Sequence, residues 1–269
     1  MYHFQSLQDI SLPQLADCFN LAFSDYEQPI HFTPESFKYY LTASSVNLRL
    51  SFGAFRGEEL VGFILNSSGM YHEESVVFDA GTGIVPEHRG KKVFTSLFDY
   101  TAQQLKLQGI AKYYLEVLQG NHHAQSIYKK VGFSICREYT VLAATGAQQC
   151  ENSHISVTPY PDFERFVTRF PVEPSFEHTT YNANQNPQLY EVLCLDNQAY
   201  CIYAKRNGEI LQMHYNELGA LKEVMSTLTQ KYPSAWAKNV DFAYGNVIQM
   251  LAELGFKEIT AQYEMVRDL

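Results

Sequence analysis

The chain has 269 residues, 46% of them hydrophobic and 18% charged, enough for one large domain or two of ordinary size. Its 20 Lys and Arg against 29 Asp and Glu give a formal charge of −9 with no basic block, which argues against a nucleic-acid backbone as partner and suits a small cationic substrate better. The first fifteen residues lack a basic stretch followed by an apolar one, and no run approaches about 18 uninterrupted apolar residues, so the expectation is a cytoplasmic protein that neither enters nor crosses a membrane.

The spacing of Ile10, Leu12, Leu15, Phe19 and Phe23 predicts a helix over 9–25, and a second short helix starts at Thr33 or Ser36 and runs to Leu41, with Pro29 between the two. Residues 48–55 and 60–66, joined by Arg56-Gly57-Glu58-Glu59, read as a β-hairpin. Another strand covers 75–85 and carries the small residues Ala80, Gly81 and Gly83. A helix over 90–108 with Gly109 as its stop, an apolar strand over 112–118, a short helix over 121–131, and a strand pair opened by Gly132-Phe133 complete the first half. The alternation predicts an α/β fold with a mixed sheet flanked by helices.

The polar stretch 143–153 is the expected linker, dividing a domain at 1–145 from one at 150–269. Beyond it a similar order returns: a helix over 162–170, strands over 188–195, 200–205 and 209–215 with turns at Asn197 and Asn207-Gly208, a helix over 217–230, a strand over 239–243, a helix over 246–253 and a closing strand over 256–266. Both halves end in a helix, an apolar-Gly-Phe turn (Gly132-Phe133 and Gly255-Phe256) and a strand carrying Tyr, so the chain reads as a duplication. Five cysteines, Cys18, Cys136, Cys150, Cys194 and Cys201, form no CxxC pair and read as reduced, mostly buried thiols.

Chemistry concentrates between Phe78 and Leu97. A strand ending at Val85-Pro86 turns through Arg89-Gly90-Lys91-Lys92 into a helix, and exposed amides at a helix start beside cations form a site suited to a pyrophosphate. Here the sequence resembles the GNAT superfamily of N-acetyltransferases, whose loop [Q/R]-x-x-G-x-[G/A] follows a strand that often ends Val-x-Pro. Downstream, Asn121, Tyr128, Gly132 and Phe133 match the superfamily's pattern in order and spacing. Lys92 and Phe94 depart from it, standing where the loop has its Gly and its Gly/Ala.

The resemblance implies acetyl-CoA as co-substrate, wedged between strands that splay near Val85 and Leu118. It would be contacted by Gly83, Ile84 and Val85 at the strand end, by Arg89, Gly90, Lys91, Lys92, Val93, Phe94 and Thr95 in the loop and helix start, and by Asn121. Amides near Ile84 would polarise the thioester carbonyl and Tyr128 would protonate the departing thiolate. Asn121 also suits a helix cap. Candidates for the base that deprotonates an amine are Asp79 and Glu116, while Glu73 and Glu74 either line the acceptor entrance or face solvent. The acceptor expected is a small amine or a peptide amine, and a homodimer stays open.

No metal is expected, since His122 and His123 diverge by about 100° on a helix and no further ligand motif accompanies them. The second half has no Arg-Gly turn after its strand over 209–215, and Leu251 stands roughly where Tyr128 does, so it reads as a degenerate copy without a pyrophosphate loop. The main expectation is an acyl-CoA-dependent N-acyltransferase. The alternative is a non-catalytic acyl-CoA sensor or interaction protein of the same fold, motivated by Lys92 and Phe94.

Overall fold

Local chemistry starts the first two helices where the sequence reading put them. Ser11 accepts from the Gln14 amide at 3.3 Å, and Thr33 and Ser36 exchange side-chain bonds with each other's amides in a capping box followed by Pro34. The computed structural model describes residues 1–25, 31–148, 154–164 and 170–269. In chain order the elements are β1 (His3–Ser6), α1 (Leu12–Ala22), α2 (Pro34–Ala43), β2 (Phe52–Arg56), β3 (Glu59–Tyr71), β4 (Glu74–Ile84), α3 (Val93–Leu107), β5 (Lys112–Leu118), α4 (His122–Lys130) and β6 (Ser134–Ala144). There follow β7 (Ser156–Pro159), α5 (Thr180–Ala183), β8 (Tyr190–Leu195), β9 (Ala199–Ala204), β10 (Glu209–Tyr215), α6 (Leu218–Lys231), β11 (Trp236–Asp241), α7 (Gly245–Glu253) and β12 (Phe256–Asp268). Gly109 stops α3 with φ 76°, as expected of a residue just past a helix end.

Several expectations need correction. The segments β1, β7 and α5 are four residues each, too short to show a period, and the sequence reading missed them. β2 begins at Phe52 and not at Leu48, because 47–50 turn back through the Leu50 amide to the Asn47 carbonyl. The strand pair expected after Phe133 is the single strand β6, since no turn residue interrupts it. The helix expected over 162–170 is one 3-10 turn at Tyr160–Asp162 followed by extended Phe163; its remainder, 165–169, lies outside the described residues, as do Pro29, Cys150 and the end of the 143–153 stretch.

The chain packs into two units. The first holds Met1–Glu116, His123–Ser134 and the last five residues, Met265–Leu269; the second holds Val117–His122 and Ile135–Glu264. In the first, the order β1-β2-β3-β4-β5 is antiparallel up to β4 and parallel between β4 and β5. Its C-terminal residues are tied in by Leu269 donating to the Ala111 carbonyl (2.9 Å), by Arg267 donating to the Val131 carbonyl (2.6 Å), and by the Arg267 guanidinium lying 5.0 Å over the Phe98 ring. In the second, the order is β12-β6-β11-β10-β9-β8-β7, with β10 and β11 the parallel pair. The run β8-β9-β10-α6-β11-α7-β12 repeats β2-β3-β4-α3-β5-α4-β6 element for element, so the duplication is structural.

Each unit has its own core. Leu15, Phe19, Phe37, Phe63 and Leu65 anchor the first beneath α1 and α2, and Leu221, Val224, Met225, Ala237 and Leu251 anchor the second around α6 and α7. Cys18, Cys194 and Cys201 are buried as expected, and Cys136 is exposed. Among the described residues no helix is long and apolar enough to cross a membrane.

Gly83 shows how closely α1 lies on β4. A Cβ there would stand 2.9 Å from the Ala22 Cβ and 2.7 Å from the Phe63 ring, nearer than carbon atoms pack. Gly83→Ala should therefore cost about 1–3 kcal/mol of unfolding free energy by overpacking. Urea denaturation with an unchanged midpoint would place α1 farther from the strand than this.

Candidate functional site

The site begins where β4 leaves β5. The two strands run paired only from Val76↔Lys112 to Asp79↔Leu115, while β4 continues to Ile84. At that point the β3/β4 register slips between Leu65 and Asn66, so that Asp79 pairs with Asn66, Gly81 with Leu65, and Ala80 is the extra residue of a β-bulge. The bulge changes which way the side chains point. A Cβ on Gly81 would meet the Tyr40 hydroxyl and Phe19, on the α1/α2 face, whereas Asp79 shares the face of its partner Asn66, whose Oδ1 accepts from the Tyr113 hydroxyl at 2.5 Å. Farther along, the Val85 amide donates to the Val61 carbonyl at 3.0 Å; by strand alternation the amides of Thr82 and Ile84 face away from β3, into the space β5 has vacated.

The loop Val85–Lys92 carries this open end to α3. Gly90 (φ 70°) and Lys92 (φ 61°) are both left-handed, and α3 starts at Val93 with no side-chain cap on its first amides. Those of Val93, Phe94 and Thr95 are thus presented at the positive end of a helix of fifteen residues, an arrangement that accepts phosphate oxygens. Lys92 holds here a conformation natural to glycine, which explains why related loops would use one.

Arg89 does not reach toward those amides. Its guanidinium grips the Asp25 carboxylate through both nitrogens (2.6 and 3.1 Å) and the Ala22 carbonyl (2.6 Å), while its Nε donates to the Ile84 carbonyl (2.9 Å). It ties the end of β4 to the end of α1, and the same contact holds the Asp25 carboxyl below the usual carboxylate range. Lys91 donates to the Glu87 carbonyl at 2.7 Å, and Lys92 is exposed.

Phe94 has turned inward and lies edge-to-face on Tyr128 (centroids 6.0 Å) and beside Phe98 (5.9 Å). Tyr128, half-buried, also packs on Phe133 (5.8 Å), and Phe98 stacks on Tyr113 (5.6 Å). Burial above all, and then the charges of Asp79 and Tyr128, hold the Tyr113 hydroxyl well above the ordinary tyrosine range, so Asp79, Tyr113 and Tyr128 share one electrostatic neighbourhood.

Asp79 is the most strongly perturbed carboxylate there. Desolvation pushes it up to about 6, against the opposing effect of bonds from Thr82 Oγ1 (2.6 Å) and the Gly81 amide (2.9 Å). Glu116 follows Leu115, the residue level with Asp79, so it points to the opposite face and the two carboxylates do not converge. Glu74, partly exposed, is paired with Lys112 on the neighbouring strand. Asn121 belongs to the second unit, where its amide closes the turn before α4 by donating to the Leu118 carbonyl at 3.0 Å. His122 and His123 are exposed, and no group of metal-ligand side chains occurs among the described residues. Sequence reasoning missed Tyr113 and Asn66, which sit in ordinary apolar strand patterns and acquire meaning only across the sheet.

The second unit has the same parting and the same bulge. β10 pairs with β11 only at Glu209↔Trp236 and Ile210↔Ala237, and its register with β9 slips between Ile210 and Gln212. A segment around 172–180 borders this parting, and a small pocket lined by Pro174, His178, Gln212, Lys238 and Tyr244 remains there. Gln212, at the place Gly81 holds in β4, sends its amide nitrogen to the His178 carbonyl (2.5 Å) and the Thr180 hydroxyl (3.3 Å). Lys238 pairs with Glu177, and the Arg137–Asp241 pair (2.8 Å) also binds the Pro174 carbonyl (3.3 Å). From β10 to α6 there is no room for a loop, since Tyr215 is followed at Leu218 by the helix.

Two outcomes test this geometry. Lys92→Gly should raise the unfolding free energy by about 0.5–1 kcal/mol by relieving the left-handed residue, even though it removes a cation; a loss of stability in denaturant titration would show that Lys92 is not strained. Because the folded-state value of Asp79 lies above its unfolded one, folding takes up a proton between about pH 4 and 6, and the stabilisation present below that window is lost as pH rises through about 6. Asp79→Asn should flatten that part of the stability–pH curve, and an unaltered slope would assign it to other groups.

Residues 13–133 match the Acetyltransferase (GNAT) family. No curated protein matches the sequence significantly. Among solved structures, a putative acetyltransferase from Pyrococcus horikoshii aligns over 100% of this chain and 89% of its own with a TM-score of 0.70 at 11% identity. A GCN5-related N-acetyltransferase from Sphaerobacter thermophilus aligns over 99% and 95%, with a TM-score of 0.65 at 12% identity. A tandem GNAT protein from the clavulanic acid biosynthesis pathway aligns over 100% and 98%, with a TM-score of 0.64 at 11% identity. At these identities the likeness is one of fold, and it extends over both halves.

Proposed function

We propose that this chain, whose residues 13–133 belong to the Acetyltransferase (GNAT) family, transfers an acetyl group from acetyl-CoA to an amine by direct attack. The observation that carries the reading is the coincidence, in one unit, of the β4/β5 parting with an uncapped α3 start at the end of the same strand. Pyrophosphate oxygens would be met by the amides from Gly90 to Thr95, and the acyl arm would lie along the outward-facing amides of Thr82 and Ile84, which are preorganised to stabilise charge on a thioester oxygen. Lys92 supplies an exposed cation to the phosphates. Arg89 contributes by fixing the loop.

The proton inventory follows from position. Asp79, pushed up to about 6, is ionised at neutral pH yet basic enough to take a proton from an ammonium through water, and it lies on the face that holds Tyr113 and Tyr128. Glu116 is the base available from the other face. Tyr128 is the donor for the departing thiolate. The acidic balance of the chain supports a small amine or peptide amine as acceptor. The second unit, with no loop after β10, serves as scaffold in this reading.

Tyr128→Phe keeps the ring against Phe94 and Phe133 and removes the donor, so kcat should fall roughly 10- to 10⁴-fold with CoA affinity little changed. The assay is thiol release from acetyl-CoA across a panel of amines. A loss of affinity with kcat intact would make Tyr128 a cofactor contact, and an unaltered rate would pass the proton to another donor. Binding of acetyl-CoA without thiol release for any amine would favour the sensor reading.

A further inference from the structure

The bulge that opens the site is held from a direction the reaction scheme does not use. Ala80, the extra residue, has its carbonyl outside the β3 ladder, and that carbonyl accepts from the hydroxyl of Tyr40, on α2. The next amide, Gly81, donates to Asp79 Oδ1 at 2.9 Å. One peptide unit, Ala80–Gly81, is therefore gripped by its oxygen from the α1/α2 face and by its N–H from Asp79. We infer that Tyr40 is a positioning residue, which fixes the plane of the Ala80–Gly81 peptide and through it the orientation of the Asp79 carboxylate and the opening between β4 and β5. The inference rests on the acetyl-transfer reading for its functional half only.

Three features support a rigid, specific contact. The Tyr40 ring is built into an aromatic cluster, stacked with Phe32 (5.2 Å) and Phe37 (6.0 Å) and edge-on to Phe19 (5.6 Å), so its hydroxyl is aimed with little rotamer freedom. Position 81 is glycine, and a Cβ there would stand only 3.0 Å from that hydroxyl. A bulge carbonyl with no ladder partner is costly to leave unpaired next to a core, and Tyr40 satisfies it. The consequence is a mechanical link: α2 flanks the face away from Tyr128, and anything that shifts it moves the peptide on which Asp79 depends.

The test compares Tyr40→Phe with Phe37→Leu, a packing change in the same cluster that keeps the hydroxyl. Native-state hydrogen exchange should show the Gly81 amide exchanging at least ~10-fold faster in Tyr40→Phe relative to Phe37→Leu, since freeing the carbonyl lets the peptide rotate off Asp79. Equal protection in the two variants would overturn the clamp, and needs no ligand to establish. In calorimetry with CoA and acetyl-CoA as probes, Tyr40→Phe should leave CoA affinity within about twofold of wild type, because the α3 amides are untouched, and should remove at least ~5-fold of any preference for acetyl-CoA. Parallel losses for both probes, or no change in either, would reduce Tyr40 to a packing residue. Failure of the unaltered protein to bind either probe would instead refute the acetyl-CoA reading, leaving the exchange result to decide the clamp.

Discussion

Everything in the first unit turns on a single extra residue. A parallel pair of strands hydrogen-bonds continuously unless something releases one from the other, and Ala80 does so at the level of Leu115. The bulge frees outward-facing amides along the rest of β4, reverses the side-chain alternation so that Asp79 and Gly81 face opposite sides, and leaves a carbonyl that an element outside the sheet must satisfy. Asp79 lies on the face of Tyr113 because Val77 is level with Tyr113 in the β4/β5 ladder, and burial there raises its pKa.

The two units show how small the difference is between a parting followed by a loop and one bordered by its own chain. Both keep the short parallel pairing and the register slip that ends it. In the first, glycine at 81 and 83 admits neighbouring side chains and helix α1 closely, and the loop Val85–Lys92 leads to an α3 start with no side-chain cap. In the second, Gln212 reaches the chain at His178 and Thr180, and charged pairs from Arg137 and Lys238 fasten the segment around Glu173–Glu177. Burial above all, and then the Lys238 charge, lower the pKa of the His178 ring to about 4.

The loop departures also acquire a physical meaning. Lys92 takes the left-handed conformation that glycine would take freely, and keeps the amide geometry at the cost of strain. The Phe94 ring turns toward Tyr128 and Phe98, so a residue that looked out of place in the motif is part of the packing that holds Tyr128. Arg89, which the motif suggests as a phosphate contact, is a brace between the strand end and α1.

Most of the longer elements were legible in the sequence, because helix periods, caps such as Thr33 and Ser36, and turn residues such as Gly109 are local properties, whereas the four-residue β1, β7 and α5 were too short to show a period. The sequence also determined the loop, Tyr128 and Asp79 as residues of interest, since motif spacing survives without coordinates. Only the tertiary structure decided which of them meet. Asp79 and Glu116 fall on opposite faces because the β4/β5 ladder sets Leu115, and not Glu116, level with Asp79, a register that leaves no mark in composition. Tyr113, Asn66 and Tyr40 enter through contacts across 47 and 40 positions of chain, and Arg89 through one across 64. Such contacts are set by packing between elements, where the free energy depends on neighbours that no local window contains.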